Sequence, residues 1–192
     1  MLRFSYTGFM KREFHAEQLD VHAFAHAAAE LSGAGPLLGW RRLASEAQGS
    51  DGAELVHWHV RGELRPDRSG VPQAWLHLQA HTVLPLTCQR CLAPVPIALD
   101  VENSFRFVAD ENTAAEEDDE AQEDVLVLSR RFNLPELIED ELLLAMPLVP
   151  LHETCPVEVK LAVTDAAFEQ AQEERPQAFA ALGRLKAPKK KS

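Results

Sequence analysis

No apolar run in this 192-residue sequence is long enough to cross a bilayer. The most apolar stretch, LLLAMPLVPL, covers ten residues and holds two prolines, where a spanning helix needs roughly 20 residues. The beginning, MLRFSYTGFMKREFHAEQ, meets Lys11, Arg12 and Glu13 before any secretory-type apolar segment develops. Cysteine is scarce. Three thiols, an odd number, cannot all pair within one chain, and a reducing compartment is their simpler setting. These absences lead us to expect a cytoplasmic protein with no membrane partner.

The patterns of familiar active sites are missing too. There is no Gly-rich phosphate loop, no G-x-S-x-G and no H-E-x-x-H. Acids are plentiful, but they sit in one charged run or along the outer face of a helix, where neither burial nor fixed geometry is expected to tune them. A nuclease would need carboxylates gathered around metal ions on a rigid frame. The expectation is a protein that is not an enzyme.

Basic residues are absent from Ala109 to Asp124, ADENTAAEEDDEAQED, which carries nine acids. Like charges repel and nothing apolar there offsets the entropy of ordering, so residues 109–124 are expected to form a disordered loop. The net charge is −11, and such acidity argues against a broad nucleic-acid footprint across the body. Positive charge gathers instead at the end, in Arg184, Lys186, Lys189, Lys190 and Lys191. These side chains can touch RNA phosphates without sequence preference, or simply solvate a frayed terminus. The acidic run can in turn hold a basic protein by imitating nucleic-acid charge, or be merely solvated.

What remains is ordinary for a globular chain, with 46% hydrophobic residues and length enough for one cored domain. We expect a single α+β domain over residues 1–175, followed by a short helix and basic tail over 176–192. DVHAFAHAAAELSGAGP reads as a short helix stopped by its Ser-Gly-Ala-Gly-Pro end. His22 and His26 on it have metal-compatible i, i+4 spacing, but no acid or thiol stands near them, and helix surface is the simpler reading.

From Trp40 the period becomes two. Val56, Trp58 and Val60 alternate with His57, His59 and Arg61. Leu76, Leu78, Ala80, Thr82 and Leu84 alternate with Trp75, His77, Gln79 and His81. Val95, Ile97, Leu99, Val101, Phe105 and Phe107 keep the rhythm, broken at Asn103. Short connections favour an antiparallel meander, with the four histidines on its outer face as polar surface. DVLVLS adds a strand. NLPELIEDELLLAMP makes a helix capped by Asn133, with Leu134, Leu137, Ile138, Leu142 and Ala145 as its buried stripe and Pro147 at its end. Weak helical patterns follow over 164–174 and 179–185.

Two short pairs stand out. Cys88 and Cys91 form C-x2-C between two strands, while His152 and Cys155 form H-x2-C just past the leucine-rich helix, with sixty residues between the pairs. Together they make a Cys3His set, a usual combination for structural zinc. Spacing alone leaves open the alternative of three unrelated reduced thiols and a loop histidine. A redox pair would need the C-x2-C at a helix N-terminus, whereas prolines and a strand follow here. Arg90 can offset the negative charge of a zinc-bound Cys3His set or be a solvated turn residue.

The ordered features LPLTCQRCLAPVPIALDVENSFRFV, an acidic stretch, DELLLAMPLVPLHETCP, FAALGRLK and a basic end resemble the bacterial large ribosomal RNA subunit accumulation protein family, which has plant organellar relatives. The likeness runs from about Trp40 to Lys190 and is strongest at Cys88, Arg90, Cys91, Pro147 and Pro150. It implies a non-enzymatic role in accumulation or processing of large-subunit ribosomal RNA, with ribosomal RNA, a pre-ribosomal particle or a basic ribosomal protein as partner. It also implies metal binding, so that zinc would clip the hairpin turn to the segment after the main helix. Some relatives carry extra cysteines after the second pair, where this chain has only His152 and Cys155. The alternative function is an acidic chaperone-like holder for a basic protein, without RNA contact.

Overall fold

In the computed structural model, which describes residues 13–50, 52–67, 70–118, 121–158, 165, 167 and 168, the period-two segments build one five-stranded sheet. Its strands are β1 (Glu30–Pro36), β2 (Leu55–Pro66), β3 (Pro72–Thr87), β4 (Pro94–Val108) and β5 (Asp124–Val127), and they lie side by side in chain order. Among the described residues four named α-helices accompany them: α1 (Val21–His26), α2 (Arg41–Glu46), α3 (Glu111–Asp118) and α4 (Leu134–Leu144). The architecture is α+β. Two compact units divide the chain, Met1–Glu153 and Thr154–Ser192. The sheet and all four helices belong to the first. In the second, Thr154–Glu158, Asp165, Ala167 and Phe168 are described. Most of the expected helix over 164–174, all of that over 179–185, and Arg184, Lys186, Lys189, Lys190 and Lys191 lie outside the described residues.

β1 to β4 form the expected antiparallel meander. β5 departs from it by pairing in parallel with Phe105–Val108 of β4. A parallel neighbour needs a crossover, and the acidic run supplies it. Expected as a loop, that run is helical over Glu111–Asp118. Asp110 starts the helix by accepting the N–H groups of Asn112 and Thr113, both at 3.0 Å. Arg106 of β4 offsets its charge by pairing with Glu117 and, at 2.7 Å, with Glu123.

The inner face of the sheet carries Val56, Val60, Leu76, Leu78, Leu84, Leu99, Phe105 and Phe107, all buried. Phe24 of α1 lies over Gly62, and Leu134, Ile138 and Leu142 of α4 are fully buried. Leu137 is half-buried, but Ala145, expected in the same stripe, is exposed. Asn133 caps α4 by accepting the Glu136 N–H at 3.3 Å. α2 has no cap of its own, and Glu139 of α4 replaces it by accepting the N–H groups of Arg42 and Leu43 at 2.8 and 3.1 Å. Acids of this helix are therefore held in fixed geometry, contrary to expectation. Glu141 is a second case, its carboxyl pushed up by burial.

Asn103, the break in the apolar rhythm of β4, faces inward and is answered there. Its amide donates to Asp124 at 2.8 Å and to Glu141 at 3.1 Å, and its oxygen accepts the Ser104 N–H. The expected stop at Ser-Gly-Ala-Gly-Pro is instead strand β1. Helix α1 ends earlier, at His26, and Ala28 just beyond it takes a φ of 44° in the left-handed region. Gly33 of β1 pairs with Trp58, and a Cβ there would fall 2.6 Å from the indole.

Candidate metal centre

The β3–β4 hairpin is long, with fourteen residue pairs in register, and its end is a tight turn. The Cys88 N–H donates to the Ala93 carbonyl at 3.0 Å, and the Leu92 N–H to the Cys88 carbonyl at 2.9 Å. Leu92 takes a φ of 61° to close it. The segment after α4 reaches this turn through the Gln89 N–H, which donates to the Pro150 carbonyl at 2.9 Å. Arg90 adds a clamp, its guanidinium donating to the His152 carbonyl at 2.5 Å. Arg90 is thus neither a loose turn residue nor simply a counter-charge. C-x-R-C spacing alone could not reveal its partner, because that partner is a backbone carbonyl 62 residues away.

These contacts bring the two sequence pairs together. Ligand atoms of Cys88, Cys91, His152 and Cys155 all lie within 4.8 Å of one another. His152 Nδ1 is 3.3 Å from Cys91 Sγ, and the His152 N–H points to Cys88 Sγ at 3.5 Å. Metal–sulfur and metal–nitrogen bonds of about 2.3 and 2.0 Å at a tetrahedral angle would put such atoms about 3.5 Å apart, so the spacing fits one small ion. Cys88 is fully buried and the other three are half-buried.

The chemistry of the donors fits as well. Burial works against ionisation of the Cys88 thiol, yet hydrogen bonds from the backbone N–H groups of His152, Cys91 and Arg90, and from the His152 side chain, bring its pKa down to about 5. A thiolate is the form that binds metal. None of the three cysteines is in a disulfide. No helix starts at the C-x2-C, so the helix-end activation that a redox pair requires is lacking. His22 and His26 sit exposed on α1 with ring centroids 6.4 Å apart, and the Cys3His set is the metal-competent group found among the described residues.

The outer face of the sheet holds a second concentration of polar side chains. His81 lies 2.7 Å from Asp100 and His59 3.5 Å from Glu30. His77 sits between Glu63, at 2.9 Å, and Ser104, at 2.8 Å. Glu63 also meets Arg65 at 3.0 Å and Arg61 at 3.4 Å. Hydrogen bonding from Arg65 outweighs desolvation and, with His77, brings the Glu63 carboxyl down to about 2. Arg65 lies over the Trp75 ring at 4.9 Å, and the Trp75 and His77 rings stack with 15° between their planes.

A family model described as "Large ribosomal RNA subunit accumulation protein YceD" matches residues 76–186, more than half of the chain. The chain belongs to this family. No curated protein and no solved structure matches it. The family match begins inside β3, later than the expected Trp40, and takes in the hairpin turn, α3, β5, α4 and all four metal-ligand candidates. α1, β1, α2 and β2 precede it.

Proposed function

We propose that this protein is a non-enzymatic factor supporting accumulation or processing of large-subunit ribosomal RNA, acting in the cytoplasm by binding RNA or a ribosomal protein. Family membership carries this reading, because the matched span includes the whole hairpin turn and the segment that meets it. The absence, among the described residues, of a helix long and apolar enough to cross a membrane is compatible with it.

Zinc is the ion we propose for Cys88, Cys91, His152 and Cys155. Three thiolates and an imidazole suit this borderline-soft cation, and four protein ligands leave no open position for a substrate. When bound, zinc supplies cross-linking between the hairpin turn and the chain after α4. Arg90 orients the His152 backbone, and the N–H groups around Cys88 keep its sulfur ionised. The assembly role is tested by deleting the gene and resolving ribosomal particles on a gradient. A fall in large-subunit RNA relative to small-subunit RNA, restored by the intact gene, is expected; unchanged levels would sink the role.

A further inference from the structure

One end of the outer sheet face combines stacking surfaces with guanidinium groups. Trp75 and His77 stand two residues apart on β3 with nearly parallel rings, and Arg65 of β2 lies against the indole. Arg61 and Arg65 keep over 40% of their side-chain surface exposed. Glu63 is the carboxylate that both arginines share. Arg106 comes from the next strand, where it pairs with Trp75 in the sheet. Guanidinium groups beside flat aromatic rings on a sheet face suit a single-stranded nucleic acid, whose bases stack and whose phosphates pair with guanidinium.

The acidic segment lies against this row. Trp75 and Arg106 line a groove together with Asp67, Glu116, Glu117 and Glu123. Two of those carboxylates occupy the Arg106 guanidinium, as two phosphate oxygens would. Resting on the ribosomal-RNA reading above, we propose that Arg65, Trp75, His77 and Arg106 form a single-stranded RNA site that the acidic segment partly covers in the free protein. An incoming base takes the place of the Arg65 guanidinium on Trp75, freeing Arg65 for phosphate, while the RNA backbone competes with Glu117 and Glu123 for Arg106. This location differs from the basic tail, the place where the sequence suggests RNA contact.

The test is fluorescence anisotropy of the purified full chain with a labelled 20-nucleotide single-stranded RNA at two salt concentrations. Trp75→Ala and Arg65→Ala, both at exposed or half-exposed positions, should each weaken binding at least about fivefold with unchanged circular dichroism. E117Q/E123Q should tighten it at least about threefold and steepen its salt dependence. Equal affinity for wild type and Trp75→Ala overturns the site, as does tighter binding of an RNA duplex than of the single strand. E117Q/E123Q with unaltered affinity and a native thermal midpoint overturns the cover; should that variant fail to fold, Glu116→Gln, whose carboxylate lines the groove without holding Arg106, must tighten binding in its place. Trp75→Ala that loses RNA binding but restores ribosomal RNA levels in a deletion strain would overturn the site's role while leaving the assembly function standing. A deletion without effect on those levels would sink the assembly function whatever the anisotropy shows.

Discussion

Glu63 shows how much a single side chain can organise. One carboxylate serves two arginines and a histidine, and its depressed pKa has a measurable consequence. A group held down from 4.5 to about 2 favours the fold fully above pH 4.5 and loses that contribution as pH falls towards 2. Glu63→Gln should therefore be less stable than wild type at pH 7, by about 1 kcal/mol given the partial exposure. Urea titrations between pH 7 and pH 3 should show the gap closing below pH 4.5. A gap that widened on acidification would mean that the carboxylate does not hold the network. The sequence placed Trp75 and the four histidines on the outer face, because alternation fixes sides. It could not show their ion pairs, since Glu63, His77 and Asp100 stand on three strands and meet only through sheet pairing.

Elements were legible where periodicity decided them and obscure where geometry did. The long hairpin and α4 follow from alternation and capping that the residues carry in themselves. β1 does not. Its Ser-Gly-Ala-Gly-Pro has the composition of a stop, and glycine is there for close approach: Gly33 makes room for Trp58. Gly62 does the same for α1, since a Cβ on it would fall 2.6 Å from the Phe24 ring and 2.9 Å from the Ala25 backbone. A ring can rotate aside more readily than a helix backbone can shift. Both Gly33→Ala and Gly62→Ala should destabilise by about 1–3 kcal/mol, with Gly62→Ala at the upper end. Chemical denaturation measures the order, and a milder Gly62→Ala would show that α1 yields easily. The parallel run of β5 was equally hidden, because strand direction leaves no trace in residue alternation. The acidic helix depended on Arg106, whose role in neutralising it emerges only in the fold.

At the scale of the whole molecule, the candidate metal ligands were the most legible feature of all, since two x2 spacings announced themselves and Cys88, Cys91, His152 and Cys155 form one group that could hold a metal ion. What spacing could not supply was the scaffold that brings them there, with the Gln89 and Arg90 contacts to the segment after α4. The family match likewise covers the sheet from β3 onward and leaves the earlier strands to be read from their own residues. If zinc stabilises folding by joining distant parts of the chain, its removal should loosen the fold as a unit. Dialysis against a strong chelator should lower the thermal midpoint by several degrees, and added zinc should restore it; Cys91→Ser should show the low midpoint with or without zinc. Identical midpoints for chelated and untreated wild type would exclude a structural ion.

Alternation alone leaves a strand pair degenerate, because sliding one partner by two residues keeps every apolar side chain on the correct face. Asn103 breaks that tie. With Leu78 opposite it, its amide reaches both Asp124 and Glu141, and a two-residue slide that moved it away from Glu141 would cost about 1–3 kcal/mol for an amide left unanswered. The same slide would change which residues emerge at the far end of the hairpin. An asparagine near the middle of β4 therefore helps to determine that Cys88 and Cys91, and not their neighbours, stand where the turn meets His152.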